Sequence, residues 1–206
     1  MGFVSRDELA NTAPEETKTR LLEAATQIFC ELGYHNATMA KIAETAGVAK
    51  GTVYWYFSGK EDLFLGMIVR ALEELVTKLE RVLAQTGVVF PEIFRRVTVE
   101  YLEFFYRQSH LSKVIINGAQ GLSTDFHKQM MYWHNRINLI NVKMIRMGIE
   151  AGSFRSDLDI ELVGSAYAGL VSAIGNETLF TNREPGIEEE TQLITTIFLE
   201  GISRRG

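Results

Sequence analysis

The 206-residue chain has one cysteine, three prolines and four histidines, and each scarcity removes a class of protein. A single thiol, Cys30, cannot close an intrachain disulfide, which fits a reducing compartment. Beside Phe29 in a helical pattern, it reads as a packed thiol rather than a redox sensor. The longest uncharged stretch, Leu162 to Asn176, is too short and too rich in Gly and Ser to span a bilayer. Met1 to Ala13 lacks the basic start and apolar run of an export signal, and Arg6 stands where a myristoylation motif needs Ser or Thr. These absences predict a soluble, cytoplasmic chain without a membrane partner. His35, His110, His127 and His134 are scattered, so no metal site is expected. No nucleophile motif, phosphate loop or carboxylate pair at catalytic spacing is found. Neither an enzyme nor a cofactor is expected.

What remains is ample for a core. Hydrophobic residues make up 46% and charged residues 23%, with a net charge of −5. Periodicity of 3.6 recurs along the chain and no strand pattern is found, which predicts an all-α fold of about nine helices. Residues 1–13 read as a flexible tail. Pro14 suits the first turn of a helix whose stripe of Leu21, Leu22, Ala25, Ile28, Phe29 and Leu32 runs to Gly33. A long helix, capped by Ser58 with Glu61, follows from about Gly59 to Gln85. It forms a connecting helix into a larger domain over 61–206. There, helices are expected over about Pro91–Gln108, Leu111–Ala119, Thr124–Gly152, Ile160–Leu179 and Ile187–Ser203.

The stretch from Thr38 to Lys60 is the most informative. Thr38 has the hydroxyl of an N-cap, and Ile42, Ala43 and Ala46 give a narrow apolar face. Gly47 stands where a helix ends in a left-handed residue. Val53 and Phe57 form the inner face of a second short helix, and the whole is a helix-turn-helix arrangement. That second helix turns Lys50, Gly51, Thr52, Tyr54, Trp55 and Tyr56 outward, since three consecutive aromatics cannot all face inward on one helix. Such a helix fits the major groove of duplex DNA. The acidic total is no obstacle, because three lysines face one glutamate between Gly33 and Lys60, a local balance of +2.

The run TRLLEAATQIFCELGYHNATMAKIAETAGVAKGTVYWYFSGKEDLF, roughly Thr17 to Phe64, resembles the tetracycline-repressor (TetR) family of transcriptional regulators. The resemblance implies a DNA-binding domain over about 14–60. It implies that Thr38, Tyr54, Tyr56 and Lys60 hold phosphates, while Lys50, Gly51, Thr52 and Trp55 lie nearest the bases. One departure is Ala49, where the family often has a Ser that caps the recognition helix.

The later helices carry two further expectations. The helix from Ile160 is apolar nearly all round, with Ser165, Gly169 and Ser172 as a stripe of small residues. Ile194, Ile197 and Phe198 on the last helix offer cover, and pairing of both helices with their copies in a homodimer suits a two-fold operator. Polar residues interrupt apolar helices at Asn117, Gln120, His134, Asn138 and Asn141. Together with Tyr101, Phe105, Met131 and Tyr167 they suggest a small-molecule pocket, in which Tyr101, Phe105, Asn117, Met131, His134, Asn138 and Tyr167 are the expected lining. The resemblance implies an effector that releases a repressor from a palindromic operator. The alternative is a DNA-binding regulator controlled by a protein partner or a metal.

Overall fold

The computed structural model describes residues 6–108, 121–177 and 186–201, with Thr181 and Glu184, and side chains from Pro14 onward. The expected helix over Leu111–Ala119, with Asn117 and Gln120, lies outside the described residues. Eight α-helices and no strand occur among those described: α1 (Arg6–Asn36), α2 (Met39–Ala46), α3 (Lys50–Tyr56), α4 (Lys60–Leu83), α5 (Phe90–Arg107), α6 (Thr124–Glu150), α7 (Ile160–Gly175) and α8 (Ile187–Gly201). The all-α fold with an N-terminal helix-turn-helix is therefore present, and its bounds differ mainly at the ends. Helix α1 continues back through Pro14 to Arg6, where a flexible tail was expected. It is interrupted at Gly33, whose φ is 75°, and adds a last turn to Asn36.

The chain divides into two units. The first contains α1 to α3, the start of α4 up to Arg70, and residues 121–126. Its core is built from Leu21, Ala25, Ile28 and Phe29 of α1, Ile42 and Ala43 of α2, Val53, Phe57, and Leu63 and Phe64 of α4. The Phe64 ring is its hub, 5.1 Å from Phe29, 4.9 Å from Tyr34 and 5.9 Å from Phe126, centroid to centroid. Aromatic pairs at such spacings add to plain area burial. The start of α4 is capped differently from expectation. Asp62, not Glu61, accepts from Ser58, through both amide (2.8 Å) and hydroxyl (3.1 Å). Glu61 instead accepts from the Ser123 amide (3.2 Å) and hydroxyl. Ser123 in turn caps α6, accepting from the Phe126 amide at 3.2 Å. The reason is register: Asp62 lies one helical turn from Ser58, which leaves Glu61 free to face a segment 62 residues away.

The second unit holds the rest of α4, α5, the remainder of α6, α7 and α8. Helix α5 packs against both α7 and α8. Its centre is an aromatic cluster: Phe94 lies 5.2 Å from Tyr167 and 5.7 Å from Phe198, and Phe90 lies 5.1 Å from Phe154. Gly148 of α6 makes room for this cluster. A Cβ there would stand 2.4 Å from the Phe154 ring and 2.6 Å from the Phe90 ring, well inside contact distance. Buried polar groups inside the cluster are paired: Thr98 donates to the Phe94 carbonyl at 2.9 Å, so Tyr167 donates to Thr98 at 3.0 Å. Glu190 at the start of α8 is also buried, accepting from the Tyr106 hydroxyl. Burial pushes its carboxyl above the ordinary value, partly offset by the Gly186 backbone.

Two predictions come from this packing. Gly148→Ala adds a methyl between two rings that cannot both retreat, and should destabilise the fold by about 1–3 kcal/mol despite alanine's better helix propensity. A lower urea midpoint at unchanged slope checks it. The raised Glu190 value means the folded chain holds that proton more tightly than the unfolded one. Its stabilising contribution is complete below the ordinary carboxylate value and is lost as pH rises through the raised one. Urea midpoints measured across that range should fall less for Glu190→Gln than for the unsubstituted chain.

Candidate functional site

The first unit builds its outward face from the α2–turn–α3 segment. Thr38 caps α2, its hydroxyl accepting from the Lys41 amide at 3.2 Å. Gly47 ends the helix at φ 67°, ψ 35°, where a side chain would be strained, and its amide points back to Ala43 and Glu44. The Val48 amide closes the turn on the Ala43 carbonyl at 3.0 Å. At Ala49 no side chain caps α3; the Thr52 amide reaches the Ala49 carbonyl at 2.9 Å instead. Helix α3 has only seven residues, and it is held by Val53 and Phe57, both buried.

Everything else on α3 is turned outward to some degree. Trp55 is 74% exposed and Tyr54 49%, Lys50 and Gly51 are exposed, and Thr52 and Tyr56 are half-buried. The Trp55 and Tyr56 rings meet edge to face at 4.6 Å, which steadies a large apolar group that would otherwise move freely in water. The Lys50 ammonium lies 5.9 Å from the centre of the Tyr54 ring. Thr38 is exposed, beside the same turn. Lys60 stands apart from this group. Its ammonium donates to the carbonyls of Tyr34 (2.8 Å) and His35 (3.1 Å) and sits 4.6 Å over the Tyr34 ring. It therefore ties the last turn of α1 to the first turn of α4. Burial, and the nearby Glu61 charge, push the Tyr34 hydroxyl upward, so it stays neutral beneath the lysine.

The second unit forms a partly open cavity of about 460 Å³. Its walls come from Leu72 and Leu75 of α4, Tyr101, Phe104 and Phe105 of α5, His134, Ile137, Asn138 and Asn141 of α6, and Ser165, Ala168, Gly169 and Ser172 of α7. Four of the expected lining residues, Tyr101, Phe105, His134 and Asn138, are brought together there. Met131 is not among them: it is 65% exposed, because the face of α6 that reaches the cavity runs through 134, 137, 138 and 141. Nor is Tyr167, which is wholly buried in the aromatic cluster. Asn141, one of the polar residues that suggest a pocket in the sequence, joins the lining at i, i+3/4, i+7 spacing from His134. Its Oδ1 accepts from the Tyr101 hydroxyl at 2.7 Å. Burial drives the Tyr101 hydroxyl well up, only partly relieved by that bond, so it remains a neutral donor.

The residues expected at an interface are also divided. Ser165, Gly169 and Ser172 line the cavity, with Ser165 and Gly169 exposed. Ile194 and Phe198 are core residues within the one chain, Phe198 against Phe94 and Tyr167. Ile197 remains exposed, as do Leu162 and Leu193 on the same two helices. Among the described residues no three His, Cys, Asp or Glu side chains gather in a group that would hold a metal ion. None of the described helices is long and apolar enough to cross a membrane.

Comparison with known proteins agrees with this architecture. Residues 21–67 match the model for bacterial regulatory proteins of the tetR family. The chain is 28% identical over 191 residues to the uncharacterized HTH-type transcriptional regulator YhgD of Bacillus subtilis, across 91% of this chain and 97% of that one. The structure of the transcriptional regulator FadR from Bacillus subtilis, in complex with stearoyl-CoA, matches with a TM-score of 0.78 at 20% identity, covering 89% of this chain and 98% of that one. The TetR-family regulator PfmR from Thermus thermophilus matches with a TM-score of 0.70 at 25% identity, covering 90% and 97%. Residues 21–67 thus match the bacterial regulatory proteins of the tetR family, and nearly the whole length of the chain is similar to transcriptional regulators.

Proposed function

We propose that the chain is a repressor that binds a palindromic operator as a homodimer and is released by a small, largely apolar effector. The observation that carries this reading is the 460 Å³ cavity, mostly apolar with a few polar groups, in a chain whose other unit turns an aromatic and hydroxyl face to solvent. In the DNA complex α3 enters the major groove. Thr38, Tyr54 and Tyr56 hold phosphates, while Lys50, Gly51, Thr52 and Trp55 meet the base edges. Lys60 acts mainly as an anchor, since its ammonium is already committed to two carbonyls. Homodimerisation is supported by Leu162, Leu193 and Ile197, apolar residues left uncovered on α7 and α8. The apolar effector is supported by the Leu, Phe and Ile side chains of the cavity wall, and a protein of the same fold, Bacillus subtilis FadR, has been solved in complex with stearoyl-CoA. Release requires only that the effector bind more tightly to the dimer spacing that fits DNA poorly. Such a regulator acts in the cytoplasm.

The test is selection of bound DNA from a random pool by the purified protein at a stated salt concentration. Recovery of an inverted repeat is expected, and an absence of any enriched sequence would sink the operator reading. On the selected site, Tyr54→Ala should weaken binding about tenfold with the fold intact, the worth of one lost phosphate contact per half-site. Lys50→Ala should change base preference more than the dependence of log Kd on log salt. Lys60→Met should lower the unfolding free energy by about 1 kcal/mol and leave that salt dependence unchanged. A slope reduced by about one would instead return Lys60 to the phosphate contacts.

A further inference from the structure

The effector reading leaves the chemistry of the ligand open, and the cavity wall narrows it. No Lys, Arg, Asp or Glu lines the cavity among the described residues. The adjoining shallow recess, which shares Leu75 and Phe104 with it, contains Lys78 and Arg107, and both are paired, with Glu100 at 3.1 Å and with Glu103. A carboxylate or phosphate carried to the covered end of the cavity would therefore be dehydrated with no Lys or Arg beside it to receive it. Polarity in the lining follows one face of α6. His134 is exposed, Asn138 half-buried and Asn141 fully covered, so the covered end of the cavity is the Tyr101–Asn141 pair.

That pair is incompletely satisfied. The Tyr101 hydroxyl donates to Asn141 Oδ1 at 2.7 Å, which fixes the amide with its oxygen toward the tyrosine. The Asn141 Nδ2 group is then left buried with no hydrogen-bond partner among the described residues. An amide that keeps two donors unpaired in an apolar wall is destabilising unless something supplies an acceptor. Of the other lining side chains, Leu72, Leu75, Phe104 and Ile137 accept nothing, and none of His134, Asn138, Ser165 and Ser172 is hydrogen-bonded to this amide.

We propose that the cavity takes an uncharged, largely apolar molecule bearing one hydrogen-bond acceptor, a carbonyl or ether oxygen, which is received by Nδ2 of Asn141 while Tyr101 holds the amide in place. This rests on the effector reading above and adds to it the charge of the ligand, the group it presents and the residue that reads that group. Free fatty acids and other anions are disfavoured, whereas ketones and esters of similar size fit.

Isothermal titration of the full chain with butyrophenone, butylbenzene and 4-phenylbutanoate tests it, since the three share a phenyl ring and a four-carbon chain and differ in the polar group. Butyrophenone should bind about three- to tenfold more tightly than butylbenzene, the worth of one net hydrogen bond. The anion 4-phenylbutanoate should bind more weakly than either. In Asn141→Leu/Tyr101→Phe, which removes both partners and orphans neither, the ketone should lose its lead and the two neutral compounds should bind alike. Equal affinities in the unsubstituted chain, a ketone lead that survives the double substitution, or tightest binding by the anion would overturn the inference and leave the cavity as an effector site. Binding by none of the three would overturn the effector reading together with it.

Discussion

A seven-residue helix cannot hold itself together in water, so α3 exists only because Val53 and Phe57 are buried beneath it. Those two anchors decide which side chains of α3 face outward. They are placed by Gly47, whose left-handed conformation turns the chain sharply enough for α3 to pack against α2. The first unit then stacks on a single ring, Phe64, which meets Phe29 and Tyr34 of α1 and Phe126 of α6. Lys60 adds a polar clasp to the same junction by holding the final carbonyls of α1. The outward face of α3 is thus carried by a hydrophobic seat, with little contribution from its own helix propensity.

The second unit meets the opposite demand, because it leaves space where most cores are full. Its aromatic cluster of Phe90, Phe94, Phe154, Tyr167 and Phe198 is packed without room for a methyl at Gly148. Beside it stands a cavity of about 460 Å³ walled by Leu, Phe and Ile with a few amides and hydroxyls. Side chains that line it are in looser contact than those of the aromatic cluster, because the cavity is partly open to solvent. Helices α4 and α6 each contribute side chains to both units: Phe64 and Leu75 from one, Phe126 and Asn141 from the other.

Local patterns were legible because their causes are local. The Thr38 cap, the Gly47 turn, the inward Val53 and the outward Tyr54 and Trp55 all follow from residues within a few positions of one another. Pairings across the fold were not. The expected partnership of Ser58 with Glu61 went to Asp62, since Glu61 found Ser123. Met131 and Tyr167 both look like pocket residues by composition, yet one faces solvent and the other completes an aromatic core. A small change of phase on a helix decides such outcomes, and helix phase is set by packing.

By itself the sequence determined an all-α chain, the place of its helix-turn-helix and the face that segment shows, because cap, turn glycine and helical spacing act within one or two turns. Only the tertiary structure decided that Lys60 is held by backbone carbonyls, that Ile194 and Phe198 belong to the core of one chain, and that Tyr101 and Asn141, forty residues apart, form one polar pair in a cavity wall. Those outcomes depend on which helices meet and at what rotation, and close packing of side chains from distant segments sets both.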